Sequence, residues 1–348
     1  MSFDDKHCFL CGTKIKQGLR SEEHIIPEWL QRKYNLWNNK VEFPNKYTKN
    51  YSSLKVACCF ECNQIMKENL ENRVIKIFEQ GYNSIKEEDL EILYLWIGKI
   101  FFSFHFKDLF LKKNLRNKSK NRIRSKREFK YFSMLHMLLQ AIRFEHVYRF
   151  YRPYSIYVYK TLKYSPSDDR AFDYIDSTIG MIAAIRFSDV GIICVFNEEG
   201  FHKEQTEEFH KKYVDDKQLH PIQFIELYAK ALYLSMLFNR NSTIIVRNAT
   251  KSNSVMKVDD MRIGFSEVFL KWDDKYFAKL FCEIFEKRFW KTNEEFFYKN
   301  GAVRTFFIDE NEKPLNLKHD DVFMEYFLTI LVKRLHRIID SKALLGKR

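Results

Sequence analysis

Short strand-like runs open the chain, and a helical run follows them. Residues 21–27 and 54–57 have the composition of short strands, and the polar stretch at 38–53 predicts the loop that joins them. From Asn63 to Phe78 the apolar positions recur near one helical face, and Gly81 is a typical helix end. The N-terminal part of the chain therefore predicts strand, loop, strand and helix.

Helical spacing dominates the next part of the chain, and strands follow it. Apolar residues recur at helical intervals from Leu90 to Phe104 and again from Tyr131 to Val147. Four short apolar runs then predict strands in an antiparallel meander, at 154–159, 171–175, 181–186 and 191–196. Further helices are predicted at 221–237, 275–290 and 322–339, and further strands at 243–246 and 303–308.

These patterns predict an α+β protein in three parts. The first is a small unit at 1–82, and the second is a helical segment at 83–150. The third, at 151–348, is a mixed α/β domain of unknown type for which a regulatory and a partner-binding role are both open.

The charge balance indicates the class of partner. Lysine and arginine outnumber aspartate and glutamate by 59 to 46, which gives a formal net charge of +13. This excess favours a polyanion, and nucleic acid is expected ahead of an anionic membrane surface. The chain begins without a secretory pattern, and its most apolar stretch, 92–106, is interrupted by Lys99. We therefore predict a cytoplasmic protein with no membrane partner.

Four of the seven cysteines have the spacing of a zinc site. Cys8 and Cys11 form one C-x-x-C pair, and Cys59 and Cys62 form a second. Two such pairs predict one tetrahedral structural Zn²⁺ held by four thiolates. Cys58 adjoins Cys59, but only Cys59 has the two-residue spacing to Cys62.

Between the two cysteine pairs lies Glu23-His24-Ile25-Ile26-Pro27, and Asn63 directly follows the last cysteine. This combination resembles the HNH nuclease family in its zinc-stapled form, over about residues 7–68. The resemblance implies a ββα-metal, treble-clef-like unit that hydrolyses DNA phosphodiester bonds. It implies that Glu23 and Asn63 bind a catalytic Mg²⁺ or Mn²⁺ and that His24 is the general base. Glutamate stands where aspartate is more common in the family, and Leu54 stands where a middle asparagine is expected.

Alternation along a strand restricts how this site can work. Neighbouring side chains on a strand face opposite sides, so Glu23 and His24 can serve one site only if the strand end is twisted or the scissile phosphate lies across it. The resemblance also suggests a bacterial restriction or antiphage defence effector. The alternative is a catalytically silent zinc module that binds nucleic acid or a protein partner within a larger complex. A protein partner bound through residues 83–348 is a separate open role.

A basic run without any acid lies between positions 112 and 127. Such a run is typical of a solvated loop, and it is also a composition that contacts phosphates. Because it follows a nuclease-like unit, we slightly favour phosphate contact. The predicted nucleic-acid-binding residues are Lys112, Lys113, Arg116, Lys118, Lys120, Arg122, Arg124, Lys126 and Arg127.

Overall fold

The structure of the protein is a computed structural model that describes residues 4–43, 45–113, 122–239, 244–247, 255–260, 267–299, 301–309 and 313–318. The chain combines helices and strands, so the predicted α+β class is confirmed. The helix predicted at 322–339 lies outside the described residues.

The N-terminal unit is built on one antiparallel strand pair and the long helical run that follows it. Its elements are β1 (Arg20–His24), α1 (Glu28–Lys33), β2 (Lys40–Glu42), β3 (Thr48–Asn50), β4 (Lys55–Cys59), α2 (Phe60–Met66), a π-helical segment (Lys67–Glu71) and α3 (Asn72–Gln80). β1 pairs with β4, with Glu23 opposite Val56. The helical run ends where predicted, because Gly81 takes a φ of 79°, a conformation that glycine adopts readily.

The middle of the chain is organised around one buried helix. Its elements are α4 (Leu90–Asp108), α5 (Lys126–Phe129), α6 (Ser133–Leu138) and β5 (His146–Phe150). Nearly every side chain of α4 is buried, as expected for a helix that is apolar on all sides. α5 begins with a capping box in which Ser125 and Glu128 bond each other's backbone N–H groups.

The remaining elements form a four-stranded sheet with helices around it, one two-stranded pair, and two strands that join β5 in a three-stranded sheet. They are β6 (Tyr154–Lys160), β7 (Phe172–Ser177), β8 (Ile182–Phe187), β9 (Val190–Phe196), α7 (Phe201–Tyr213), α8 (Pro221–Leu237), β10 (Ile244–Arg247), β11 (Met256–Asp260), α9 (Asp274–Glu286), α10 (Glu294–Phe297), β12 (Tyr298–Lys299) and β13 (Ala302–Val303). Pro221 occupies the first turn of α8, as predicted.

Four local predictions were wrong in detail. The four-stranded sheet is antiparallel, but its order is β6-β9-β8-β7, so only β7 to β9 form a meander. The helix predicted to reach Val147 gives way to β5, which pairs in parallel with β11. Of the strand predicted at 303–308, only Val303 lies in a strand, the two-residue β13. The stretch predicted as a loop at 38–53 contains the paired strands β2 and β3. In the first two cases pairing between distant segments decided the outcome, and local periodicity does not reveal such pairing.

The four-stranded sheet has a hydrophobic core on each face. Alternation along β8 assigns Ala183 and Ile185 to the core that contains α4, and Ile182 and Ala184 to the core that contains α8 and α9. The first core also contains the cysteine-bearing N-terminal unit, so it spans all three sequence-predicted parts. Within the described ranges, no helix is long and apolar enough to cross a membrane.

Candidate functional site

The four predicted cysteine ligands converge on one point. The sulfur atoms of Cys8, Cys11, Cys59 and Cys62 all lie within 4.8 Å of one another. Gly12, with a φ of 70°, closes the first turn by donating its N–H to the carbonyl of Cys8 at 2.9 Å. The second pair is contributed by the end of β4 and the first turn of α2. Four thiols at this spacing can bind a metal ion such as zinc.

The thiols already influence one another electrostatically. Hydrogen bonds from neighbouring thiols, Cys11 first, lower the pKa of Cys8 and outweigh the effect of its burial. Hydrogen bonds with Cys11 and Cys8 raise the pKa of Cys62, and burial raises the pKa of Cys59. The thiolate, which is the form that binds a metal, is therefore favoured at Cys8 and disfavoured at these two partners. Cys58 is fully buried, and its sulfur is 3.8 Å from that of Cys8. It does not belong to the four-sulfur group.

Glu23 points towards the middle of α4, where it meets a fully buried lysine. Lys99 Nζ lies 2.6 Å from Glu23 Oε1 and 2.7 Å from Glu71 Oε1. Burial raises the pKa of Glu23, and the Glu71 carboxylate adds to this while Lys99 opposes it. Burial disfavours the Lys99 ammonium, but the two carboxylates outweigh it and raise the lysine pKa. Glu23 is therefore held in a buried three-residue ion cluster.

His24 faces the opposite side of β1, as alternation requires. Its ring lies against Trp37, with centroids 5.8 Å apart, and the guanidinium of Arg32 lies over the same Trp37 ring at 4.3 Å. Within the described part of the chain, His24 Nε2 is buried and has no hydrogen-bond partner. Burial, followed by the charge of Lys55, lowers the pKa of His24.

Asn63 lies on the side of β1 that carries Glu23. Its Nδ2 donates to Ser21 Oγ at 2.5 Å, and Ser21 is two residues before Glu23 on the same strand, so both point the same way. Among the described residues, neither Asn63 Oδ1 nor Glu23 Oε2 takes part in a hydrogen bond. The structure thus brings Glu23 and Asn63 to one face and leaves His24 on the other.

Sequence analysis missed three residues of this region: Lys99, Glu71 and Trp37. A lysine inside an apolar helix was the only available signal for Lys99, because a buried ammonium needs a carboxylate partner. Glu71 and Trp37 had no such signal, since nothing near them in sequence marks the residues that they contact.

The basic run is only partly described. Lys112, Lys113, Arg122, Lys126 and Arg127 are exposed, as phosphate contact requires. Arg124 instead turns inwards, with its guanidinium 5.0 Å from the centre of the Phe132 ring and 4.0 Å from Asp108 Oδ2. Arg116, Lys118 and Lys120 lie outside the described residues.

Comparison with known proteins adds no assignment to this geometry. No protein-family model, no curated protein and no solved structure matches the chain. What the site does must therefore be inferred from its residues.

Proposed function

We propose that residues 1–82 are an HNH-type, ββα-metal endonuclease unit that hydrolyses DNA phosphodiester bonds and is stabilised by zinc on its four cysteines. The observation that carries the proposal is the common face of β1 and α2. There Ser21, which accepts a hydrogen bond from the Asn63 amide, and Glu23 lie on the same face of β1, and Asn63 directly follows Cys62 of the cysteine cluster. Carboxylate and amide oxygens are the ligands that Mg²⁺ and Mn²⁺ prefer.

The donor types of Glu23 and Asn63 suit a catalytic divalent ion. Glu23 Oε2 and Asn63 Oδ1 would hold it, since both oxygens are free of hydrogen bonds within the described residues. When bound, such an ion supplies charge neutralisation at the phosphate and at the departing oxygen. Glu23 is reached by Lys99 through its other oxygen, Oε1, so that contact does not occupy Oε2.

His24 would remove the proton from the attacking water. Its lowered pKa keeps the imidazole neutral at pH 7, and a neutral imidazole can accept a proton. Because His24 and Glu23 face opposite sides of β1, the scissile phosphate must lie across the end of that strand. His24 Nε2 is buried beside Trp37, so DNA binding must displace Trp37.

The rest of the chain would provide contacts to DNA, regulation, or a surface that binds a partner. The net charge of +13 and the exposed lysines and arginines of the basic run favour a polyanion. A nuclease unit joined to a large basic companion suits a restriction or antiphage defence effector acting on foreign DNA.

One specific observation favours the alternative of a silent zinc module. Glu23 is bound to a buried ammonium and His24 Nε2 is turned away from water, so neither side chain is positioned for chemistry as it stands. Leu54, at the position where the family's middle asparagine is expected, is fully buried. Such a module would bind nucleic acid or a protein partner without cleaving DNA.

Plasmid nicking distinguishes the two functions. Zinc-loaded protein is incubated with supercoiled plasmid and Mg²⁺, Mn²⁺ or no added divalent ion. We expect nicking only with the ion, and a loss of about 100-fold or more in His24→Ala and Glu23→Gln. Glu22→Gln is the matched control, because Glu22 is the exposed acid next to Glu23 on β1.

The alternative would be supported by DNA affinity without cleavage. Nicking that persists in His24→Ala would contradict the assigned base. If no ion supports nicking while the protein still binds DNA with an affinity that falls steeply with salt, the nuclease proposal fails and the binding module remains. If DNA does not bind either, a protein partner is the remaining function for the zinc unit.

A further inference from the structure

The buried ion cluster around Lys99 carries an unequal charge. Lys99 has no exposed side-chain surface, and one ammonium lies between the Glu23 and Glu71 carboxylates. If the three groups are ionised, the cluster has a net charge of −1. Burying an excess negative charge is costly unless a cation compensates it.

The two glutamates use their oxygens differently. Glu71 is fully engaged, because Oε1 contacts Lys99 and Oε2 accepts from Trp29 Nε1 at 3.3 Å. Glu23 contacts Lys99 through Oε1, and its Oε2 has no hydrogen bond among the described residues. The cluster therefore fixes the Glu23 carboxylate in one orientation while one of its oxygens stays available.

An unusual helix geometry directs Glu71 into this cluster. The π-helical segment at Lys67–Glu71 interrupts the run between α2 and α3. In a regular α-helix, the side chains of Asn63 and Glu71 would differ in direction by roughly 80° about the helix axis. A π-bulge accommodates one extra residue, which reduces this angle to roughly 20°. Such bulges are rare and frequently occur at functional sites. The segment thus turns Glu71 towards the side of the helix that carries Asn63.

We propose that Glu71 is a positioning residue for divalent-cation binding by Glu23, an inference that rests on the proposed nuclease function. If Lys99 paired with Glu23 alone, its ammonium group would neutralise the Glu23 carboxylate and would repel a second cation. By sharing Lys99, Glu71 gives the cluster one carboxylate more than it has ammonium groups, an excess that a bound cation would compensate, and it helps to hold the free oxygen of Glu23 in place. Hydrogen-bonded partners of metal ligands commonly change metal affinity about 10- to 100-fold when they are removed.

The test measures Mn²⁺ binding to the zinc-loaded full chain without DNA, by the decrease of the electron paramagnetic resonance signal of free Mn²⁺. Glu71→Gln keeps the shape of the side chain and removes its charge. We expect Mn²⁺ affinity about 10- to 100-fold weaker than in the wild type. The ion concentration for half-maximal plasmid nicking should rise in parallel. Glu68→Gln, which changes an exposed acid of the same π-helical segment, should leave both quantities unchanged.

A purely structural role would give a different result. Glu71→Gln would then lower the melting temperature while Mn²⁺ affinity stayed at the wild-type value, and the inference would be overturned. Should Glu71→Gln not fold, Trp29→Phe removes the hydrogen bond to Glu71 Oε2 and retains most of the packing. A weaker Mn²⁺ affinity in Trp29→Phe supports the inference, and an unchanged affinity contradicts it.

Failure of this inference can be distinguished from failure of the proposed function. If the wild type binds Mn²⁺ and nicks DNA, but Glu71→Gln does both equally well, only the role of Glu71 is wrong. If the zinc-loaded wild type neither binds Mn²⁺ nor nicks DNA, the nuclease proposal and the positioning role both fail.

Discussion

Two adjacent cysteines with different surroundings show how a single position determines the metal site. Alternation places Cys58 and Cys59 on opposite faces of β4. Cys58 is fully buried in the core, whereas Cys59 joins Cys8, Cys11 and Cys62. Its sulfur also accepts the N–H of Cys62, which caps the first turn of α2. Cys59 is thus suited both to bind zinc and to begin the helix.

Replacing Cys59 should lower the zinc content, and replacing Cys58 should leave it unchanged. Cys59→Ser removes one of four thiolates, so we expect purified protein to lose most of its zinc. Cys58→Ala should keep a full equivalent, because a buried free cysteine behaves as a small apolar residue. Elemental analysis after gel filtration provides the measurement. Equal loss of zinc in the two variants would contradict the ligand assignment.

At the scale of single residues, local sequence predicted the cysteine cluster but not the contacts of Glu23 and His24. The local C-x-x-C spacing was enough to identify all four cysteines, because each pair lies within one turn of chain. The same sequence could not indicate that Glu23 meets Lys99 or that His24 packs on Trp37. Those contacts depend on α4 and on the loop after α1, whose positions relative to β1 are set by the core.

At the scale of elements, close packing of β9 on α8 depends on one glycine. A Cβ atom built on Gly191 would lie 2.6 Å from Phe224 Cε2 and 2.9 Å from Thr161 Cγ2. Phe224 is fully buried, so its ring has little room to move. Gly191 thus allows the helix and the strand to approach more closely than any other residue would permit.

Gly191→Ala should therefore destabilise the protein by overpacking. We expect the free energy of unfolding to fall by about 1–3 kcal/mol, measured by urea denaturation. In the double variant with Phe224→Leu, the smaller side chain should make room for the new methyl group, so the total loss should be less than the sum of the two single losses. Strict additivity would show that the contact between these residues is not the cause.

Helices and strands differ in how well local sequence predicted them. α4 and α8 were predicted because long apolar runs at helical spacing carry their own signal. The edge position of β6 beside β9 and the parallel pairing of β5 with β11 were not predicted, since both join segments far apart in sequence. The π-helical segment has no sequence signal at all.

At the scale of the whole molecule, several histidines make the free energy of unfolding depend on pH. His202 has no exposed surface, and burial lowers its pKa to about 3. An unfolded histidine has a pKa near 6.5, so below that pH the unfolded chain binds a proton that the folded chain excludes. The contribution of His202 is therefore present near neutral pH and is lost as the pH falls. Burial also lowers the pKa of His146, but the Glu91 carboxylate outweighs it and the net shift is upwards.

The two histidines should consequently respond to acid in opposite ways. Between pH 7 and pH 5, His202 should account for a loss of about 2 kcal/mol of unfolding free energy. We expect His202→Gln to lose less stability over this interval than the wild type. His146→Gln should lose more, because a raised pKa stabilises the folded protein at low pH and that contribution fades as the pH rises. Urea denaturation at both pH values gives the comparison, and parallel losses in all three proteins would refute the assignment.

The first core joins the N-terminal unit to the rest of the molecule. Trp29 of α1, Phe78 of α3, Trp96 of α4 and Phe187 of β8 form one aromatic cluster, in which the rings of Phe78 and Phe187 are 4.5 Å apart. Lys99 lies on α4 three residues after Trp96. The surroundings of Glu23 therefore depend on residues on both sides of the boundary predicted at residue 82.

The sequence by itself determined the α+β class, the four cysteines that converge, the main helices and the candidate trio of Glu23, His24 and Asn63. These features are encoded by spacing within short stretches of chain, where periodicity and ligand geometry act directly. Only the tertiary structure decided which way the trio faces, that Lys99 and Glu71 enclose Glu23, and how the sheet is ordered. Those outcomes follow from burial and pairing between distant segments, and a single stretch of sequence does not contain them.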